Sequence, residues 1–250
     1  ILRVIFNYES TVSLLGLFYL GLNGFISGIL VLGLLTPLEI MMNTASVFRL
    51  MDLSDTNNPL MQRLRIEASG TFNHSMMVAS LAETACGEIG ANPLLARVGA
   101  YYHDIGKLEQ PEYFTENNQT GENKHLDINP SLSISIIRQH IKKSVEKTTQ
   151  MGFPKEVIDI IAEHHGNSVI QYFYNKAKEQ DDSVSPENFS YMGTPPTTRE
   201  SAVVMLADTV EAACHSLDKP TMPRLEKFIH QLITSKYDHG QLDKAPLTFK

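Results

Sequence analysis

Apolar positions along the chain follow two regimes. Between Glu9 and Glu39 there is no charged residue, and residues 11–35 are dominated by Leu, Gly, Ile, Phe and Val. Thr11, Ser13, Asn23 and Ser27 are the mild polar exceptions. Such a run exceeds the roughly 20 apolar residues needed to cross a bilayer. Gly16, Gly21, Gly24, Gly28 and Gly33 would be costly in a soluble helix but are common in membrane helices. Residues 1–35 therefore read as an apolar segment, the last transmembrane helix before a soluble part. The alternative is a buried helix or hairpin of a soluble domain. A secretory signal fits poorly, because a basic start and a small-residue cleavage pattern are both missing. Arg49, Arg63 and Arg65 follow the run and place the downstream side in the cytoplasm.

Beyond this run the apolar residues recur at helical spacing. Residues 36–58 form a helical connector with Leu38, Met41, Met42, Ala45 and Phe48 in phase, closed by the turn cluster of residues 55–59. Residues 59–250 form one domain. It predicts helices over 59–69 (ended by Gly70), 72–89, 93–103, 130–151, 154–165, 168–178 and 223–237. The 72–89 helix would bury Val78, Leu81, Ala82, Ala85 and Ile89. The 130–151 helix would bury Leu132, Ile136, Ile137, His140 and Ile141. Thr197 and Glu200 have capping-box spacing and open a helix carrying Leu206 and Asp208. Two long polar loops, 109–129 and 180–196, interrupt the pattern; loops of that length in a compact domain are commonly functional. No strand pattern or internal repeat is visible, so the fold class is all-α.

Composition changes this picture little. Of 250 residues, 42% are hydrophobic and 20% charged, an ordinary globular balance. The net charge of -7 argues against binding DNA or RNA polymers, which takes a basic surface. Cys86 and Cys214 lack metal-type spacing and read as buried thiols of a reducing compartment. The chain starts at Ile1 rather than Met and reads as a piece of a longer protein.

The chemistry lies in His103-Asp104-Ile105-Gly106-Lys107 and its distant partners His74, His140, His164, His165 and Asp208. A lone His on a helix is usually packing or surface, and His215, His230 and His239 are read so. Two adjacent pairs, His103-Asp104 and His164-His165, each sit at a predicted helix end near a Gly, where consecutive side chains can converge. Imidazole and carboxylate without thiolate suit Fe, Mn, Zn or Ni. A central Asp104 could give one oxygen to each of two metals about 3.5–4 Å apart, and water between them would be deprotonated near neutral pH to act as nucleophile. Lys107, one turn on, suits a substrate phosphate.

This set, with Gly70-Thr71-Phe72-Asn73-His74-Ser75, Phe114-Thr115-Glu116-Asn117, Asn129-Pro130-Ser131-Leu132-Ser133, Tyr172-Phe173-Tyr174 and the segment from Leu206 to Ala213, resembles the two-metal HD-domain phosphohydrolases. More closely it resembles the membrane-bound HD phosphodiesterases that degrade cyclic-di-AMP. The resemblance covers residues 36–250. It implies an HD-domain helical bundle with a dinuclear metal site, preceded by an apolar helix. It implies His74, His103, Asp104 and Asp208 around one metal, and Asp104, His140, His164 and His165 around the other. Iron or manganese is the metal that it favours. It implies attack of a metal-bridging hydroxide on phosphorus, with Asp104 and Lys107 as catalytic residues, opening cyclic-di-AMP to linear pApA. The protein would lie in a bacterial cell membrane with its HD domain facing the cytoplasm, and a homodimer is one assembly open to it.

Two positions depart from the relatives' patterns. Asn73 stands where many members have a second His. No Gly-Tyr-Pro follows His165, which lowers a cyclic-di-GMP reading. In the loops, His125 is a candidate to contact a phosphate or protonate the leaving oxygen. Phe189 and Tyr191 are candidates to stack on a base; the plainer role for each is to anchor its loop. The rival functions are hydrolysis of another nucleotide (cyclic-di-GMP, a mononucleotide or an alarmone) and nucleotide sensing without turnover.

Overall fold

The computed structural model describes residues 14–118, 123–179, 181–215, 217 and 221–248. The first residues of the expected apolar segment, Thr11 among them, and Gly121 and Gln180 of the polar loops lie outside these. The chain divides into two compact units, one ending at Asn43 and the other beginning at Thr44.

The first unit holds one helix, α1 (Leu14–Met42), which runs through Pro37 without stopping. Among the described residues it alone is long and apolar enough to cross a membrane, with a mean hydropathy of 1.9 within Leu15–Glu39 and none of the described side chains there buried. Asn43 follows with φ 50, the left-handed conformation in which helices commonly end. The helix thus carries on beyond residue 35, where the apolar segment was expected to end.

The second unit is helical throughout its regular parts: α2 (Val47–Leu53), α3 (Pro59–Glu67), α4 (Ser69–Glu88), α5 (Pro93–Tyr102), α6 (Pro130–Gln150), α7 (Lys155–Glu163), α8 (Gln171–Lys178), α9 (Arg199–Cys214) and α10 (Met222–Asp238). Among the described residues the β pairing is a single antiparallel bridge between Val169 and Ser190. Three helices start in one way. Asn58, Asn92 and Asn129 cap α3, α5 and α6 with side-chain oxygens that accept from backbone N–H groups two or three residues on, and Pro59, Pro93 and Pro130 follow each cap. Asn satisfies an otherwise orphaned donor, and Pro loses nothing at a position with no helical acceptor.

Helix α5 is the centre of the bundle and packs against α2, α4, α7 and α9. Val98 and Tyr102 join Leu50, Leu53, Leu64 and Ile161 in one fully or nearly dry cluster. Ala96 and Ala100 face Val78, Ala82, Ile160 and Val204 in a second. The small residues of the second cluster allow α4, α5 and α9 to approach closely, which brings their polar positions together at one end. Of the connector expected over 36–58, residues up to Met42 lie in α1, and α2 buries Leu50 and Leu53 in the first cluster and packs as part of the domain.

Several local expectations shift. The break after α3 falls at Ala68, and Gly70 lies inside α4, where the carbonyl of Glu116 crosses it too closely for any side chain. The buried stripe of α4 is Thr71, Ser75, Val78, Ala79, Ala82 and Cys86, while Leu81 and Ile89 are exposed. On α6, Ile134 is buried and Leu132 is exposed. The cap of α9 is Thr198, one residue later than expected. Thr197 instead bonds Glu163, and Glu200 accepts from the backbone N–H of Asn92.

Candidate metal centre

Five helices deliver the candidate ligands to one place. His74 comes from the second turn of α4, His140 from α6 and Asp208 from α9. His103 caps the end of α5, and Asp104 begins the 3-10 turn Ile105–Glu109. His164 caps α7, followed by His165 and by Gly166 at φ 54. The change from helix to turn at each end lets adjacent side chains converge. Gly106 lies in that turn and has a second task. A Cβ there would lie 2.0 Å from the carbonyl oxygen of His140, so its absence lets the turn sit directly on α6. The Gly106 N–H then donates to Ser144 Oγ at 2.8 Å.

Seven side chains meet here in two groups: His74, His103 and Asp208, and Asp104, His140, His164 and His165, with one donor atom from each within 4.8 Å of the others in its group. Asp104 spans both. Its Oδ1 lies 3.2 Å from His140 Nε2 and 3.7 Å from His164 Nε2. Its Oδ2 lies 3.2 Å from His103 Nε2 and 3.7 Å from His74 Nε2. Asp208 also has two faces, with Oδ1 3.0 Å from His74 Nε2 and Oδ2 3.4 Å from His165 Nδ1.

The ring nitrogens are sorted by their outer partners. Nδ1 of His103, His140 and His164 donates to the carbonyl three residues earlier, at 2.7, 2.5 and 2.6 Å. A carbonyl only accepts, so each Nδ1 carries the proton, and in the neutral rings of His140 and His164 the lone pair points inward from Nε2. His140 Nε2 and His164 Nε2 then face each other at 3.4 Å, two lone pairs with no proton between them. His103 Nε2 and Asp104 Oδ1 are buried without any hydrogen-bond partner. Such convergence of unsatisfied acceptors is what a cation resolves, and the donor set fits transition metals.

The charge states agree. Burial pushes the His140 ring down to about 4 and the His164 ring to about 3, and it holds His165 well below its ordinary value. Burial opposes ionisation of Asp104, but His103 and Lys107 outweigh it and hold the carboxyl well below the usual range. Asp208 is likewise held low against burial, by the hydrogen bond from His74. His74 is the opposite case. Burial disfavours its charge, yet its hydrogen bonds with Asp208 and Glu211 raise it to about 10.

Lys107 Nζ bonds Asp104 Oδ2 at 2.8 Å and Glu116 Oε1 at 2.6 Å. Burial opposes its charge, and the two carboxylates outweigh that and raise it. The ammonium therefore stands beside the central carboxylate, at the wall of a cleft of about 920 Å³ that His74, His125, Tyr191 and Glu211 also line. His125 is no exposed loop residue. It is 6% exposed, set between Tyr113 and Phe173 at ring distances of 5.6 and 5.2 Å, with Nδ1 unpartnered. Tyr191 stacks on His165 at 4.2 Å and 21°. Phe189 does not reach the cleft; it packs with Ile134, Phe173 and Ala177 and anchors its loop.

Sequence reasoning gave no role to three residues. Glu211 receives the Nδ1 hydrogen bond of His74, and its position three after Asp208 put both on one helix face. Glu116 holds Lys107 across a loop, a contact that no spacing signals. Asn117 pins that loop by accepting from Thr71 N–H at 2.9 Å.

An all-helical bundle with histidines and aspartates converging from the ends and faces of five helices defines a class of protein. The HD-domain family model matches residues 71–213, and the chain belongs to that family. It is 43% identical over 228 residues to a Bacillus subtilis protein named cyclic-di-AMP phosphodiesterase PgpH, covering 91% of this chain and 32% of that protein. A Listeria monocytogenes protein of the same name is 39% identical, over 96% of this chain and 33% of its own length. The chain thus spans about a third of these relatives. The crystal structure of the Listeria PgpH HD domain in complex with cyclic-di-AMP superposes with a TM-score of 0.75 at 41% identity, covering 78% of this chain and 91% of that one.

Proposed function

We propose that the chain is the hydrolytic part of a cyclic-dinucleotide phosphodiesterase that opens cyclic-di-AMP to linear pApA. The observation that carries the reading is the division of Asp104, whose two oxygens each face a separate group of imidazoles. Two divalent metals, iron or manganese, would be held by His74, His103 and Asp208 on one side and His140, His164 and His165 on the other, with Asp104 between. Bound there, such metals lower the pKa of water and stabilise charge that builds up on a phosphoryl oxygen.

The side chains do the rest. Lys107 is a fixed cation at the cleft, placed to hold a phosphate oxygen through the reaction. Tyr191 and His125 face the same space from opposite loops and suit contacts to the substrate. The cleft volume of about 920 Å³ falls in the range that encloses a ligand of drug to dinucleotide size. The identity of the dinucleotide is supported by the relatives' names and by the ligand in the Listeria complex. The apolar helix α1 would be a membrane span, with the HD domain on the cytoplasmic side.

The test is turnover of cyclic-di-AMP, cyclic-di-GMP and mononucleotides by protein loaded with Mn or Fe. Asp104→Ala should lower the rate by at least about 10³-fold and release metal while the domain stays folded. Near-normal turnover by that variant would end the two-metal reading. Tight nucleotide binding by the metal-loaded wild type, with no product after long incubation, would favour a sensor instead.

A further inference from the structure

His74 differs from its neighbours in what holds its outer nitrogen. His103, His140 and His164 give Nδ1 to neutral backbone carbonyls. His74 gives Nδ1 to the carboxylate of Glu211, in a very short hydrogen bond. Glu211 is 7% exposed, and its other oxygen accepts from His215 Nε2 at 2.8 Å. One face of α9 therefore supplies two carboxylates to His74: Asp208 at the inner nitrogen and Glu211, one turn on, at the outer one. A carboxylate behind an imidazole fixes the ring and makes its far nitrogen a stronger donor to a metal than a carbonyl does.

We propose that Glu211 is the positioning residue of the His74, His103, Asp208 group: it orients His74 and makes that group the tighter of the two sites for a divalent transition cation. The inference rests on the two-metal reading above and goes beyond it, since it ranks the two sites and names the residue responsible. Glu211 also lines the cleft, so direct contact with substrate is the rival role. Measurements with metal alone separate the two.

The experiment uses the full chain in detergent, stripped with chelator and titrated with Mn while bound metal is counted. The wild type should take up two equivalents, one more tightly. Glu211→Ala should weaken the tight equivalent by about 10–100-fold and leave the other within about twofold. Glu211→Gln, which keeps an acceptor but not the charge, should fall between. His164→Ala, which dismantles the opposite group, should retain the tight equivalent, and adding Glu211→Ala to it should weaken that one. The melting temperature of each metal-free variant reads out simple structural damage. Unchanged affinities in Glu211→Ala overturn the inference. So does an equal weakening of both equivalents together with a fallen metal-free melting temperature. A wild type that takes up no Mn overturns the two-metal reading itself, and the inference with it.

Discussion

The two halves of the site share Asp104 and meet again where Asp208 Oδ2 approaches His165 Nδ1. One half gathers His74, His103 and Asp208 from α4, α5 and α9; the other gathers His140, His164 and His165 from α6 and α7. In the second half the rings are neutral: burial holds His140 and His164 at about 4 and 3, and backbone carbonyls fix their tautomers. In the first half the environment favours the protonated form of His74. Burial opposes its charge, but the flanking Asp208 and Glu211 carboxylates raise it to about 10. The second half is thus a set of ready lone pairs that only a cation can satisfy. The first is an internally compensated set, with a carboxylate at each nitrogen of His74; a cation taken up there would displace one ring proton, while the Glu211 carboxylate would keep the ring oriented and basic. One fold therefore presents two modes of preorganisation, and they respond to pH in opposite directions.

The largest effect that would sharpen this contrast lies at Lys107, the ammonium that pairs with the Asp104 oxygen facing the first half. Lys107→Met keeps most of the side-chain volume. It should lower kcat for cyclic-di-AMP by about 10²–10³-fold with both metals still bound. A fall in metal content instead would show that Lys107 supports the carboxylate rather than the substrate.

A smaller effect separates the halves by linkage in the metal-free domain. His140 and His164 have folded values below the ordinary 6.5, so the stability tied to their neutral state is full above about pH 6.5 and is lost as pH falls toward 4 and 3. His74 has a raised value, so its contribution is full below about 6.5 and is lost as pH rises through about 10. Urea unfolding with chelator present should give maximal stability near pH 6.5, with losses on the order of a few kcal/mol on each side. A flat profile from pH 6.5 to 10 would break the assignment of charge to His74.

The smallest concerns the scaffold. Asn129 caps α6, the helix that carries His140. Asn129→Ala should cost about 1 kcal/mol of domain stability in urea unfolding. Its effect on metal affinity should be slight, because His140 sits nearly three turns further along.

Much of this is legible in the sequence. The Asn-Pro pairs at 58–59, 92–93 and 129–130 announce three helix starts, and all seven clustered side chains stood out by residue type and by the Gly beside each paired motif. The tertiary choices were not legible. Leu132 and Ile134 are equally apolar, and only the direction in which α8 and the 181–196 loop approach decides that Ile134 is buried with Phe173 and Phe189. Likewise α4 turns Ala79 and Cys86 inward rather than Leu81 and Ile89, because α5 and α9 meet it along a stripe of small residues. The face that hydrophobicity favours was outweighed by the face that permits close approach. Phe189 and Tyr191 were alike in sequence, yet one became an anchor and the other a cleft wall.

The seating of Gly106 on α6 has a mechanical consequence. With the Gly106 N–H tied to Ser144 and no side chain to act as a spacer, Asp104 and His140 ride on two backbones that cannot slide apart. The distance between a carboxylate and its facing imidazole is set as in a caliper, by the frame and not by the jaws.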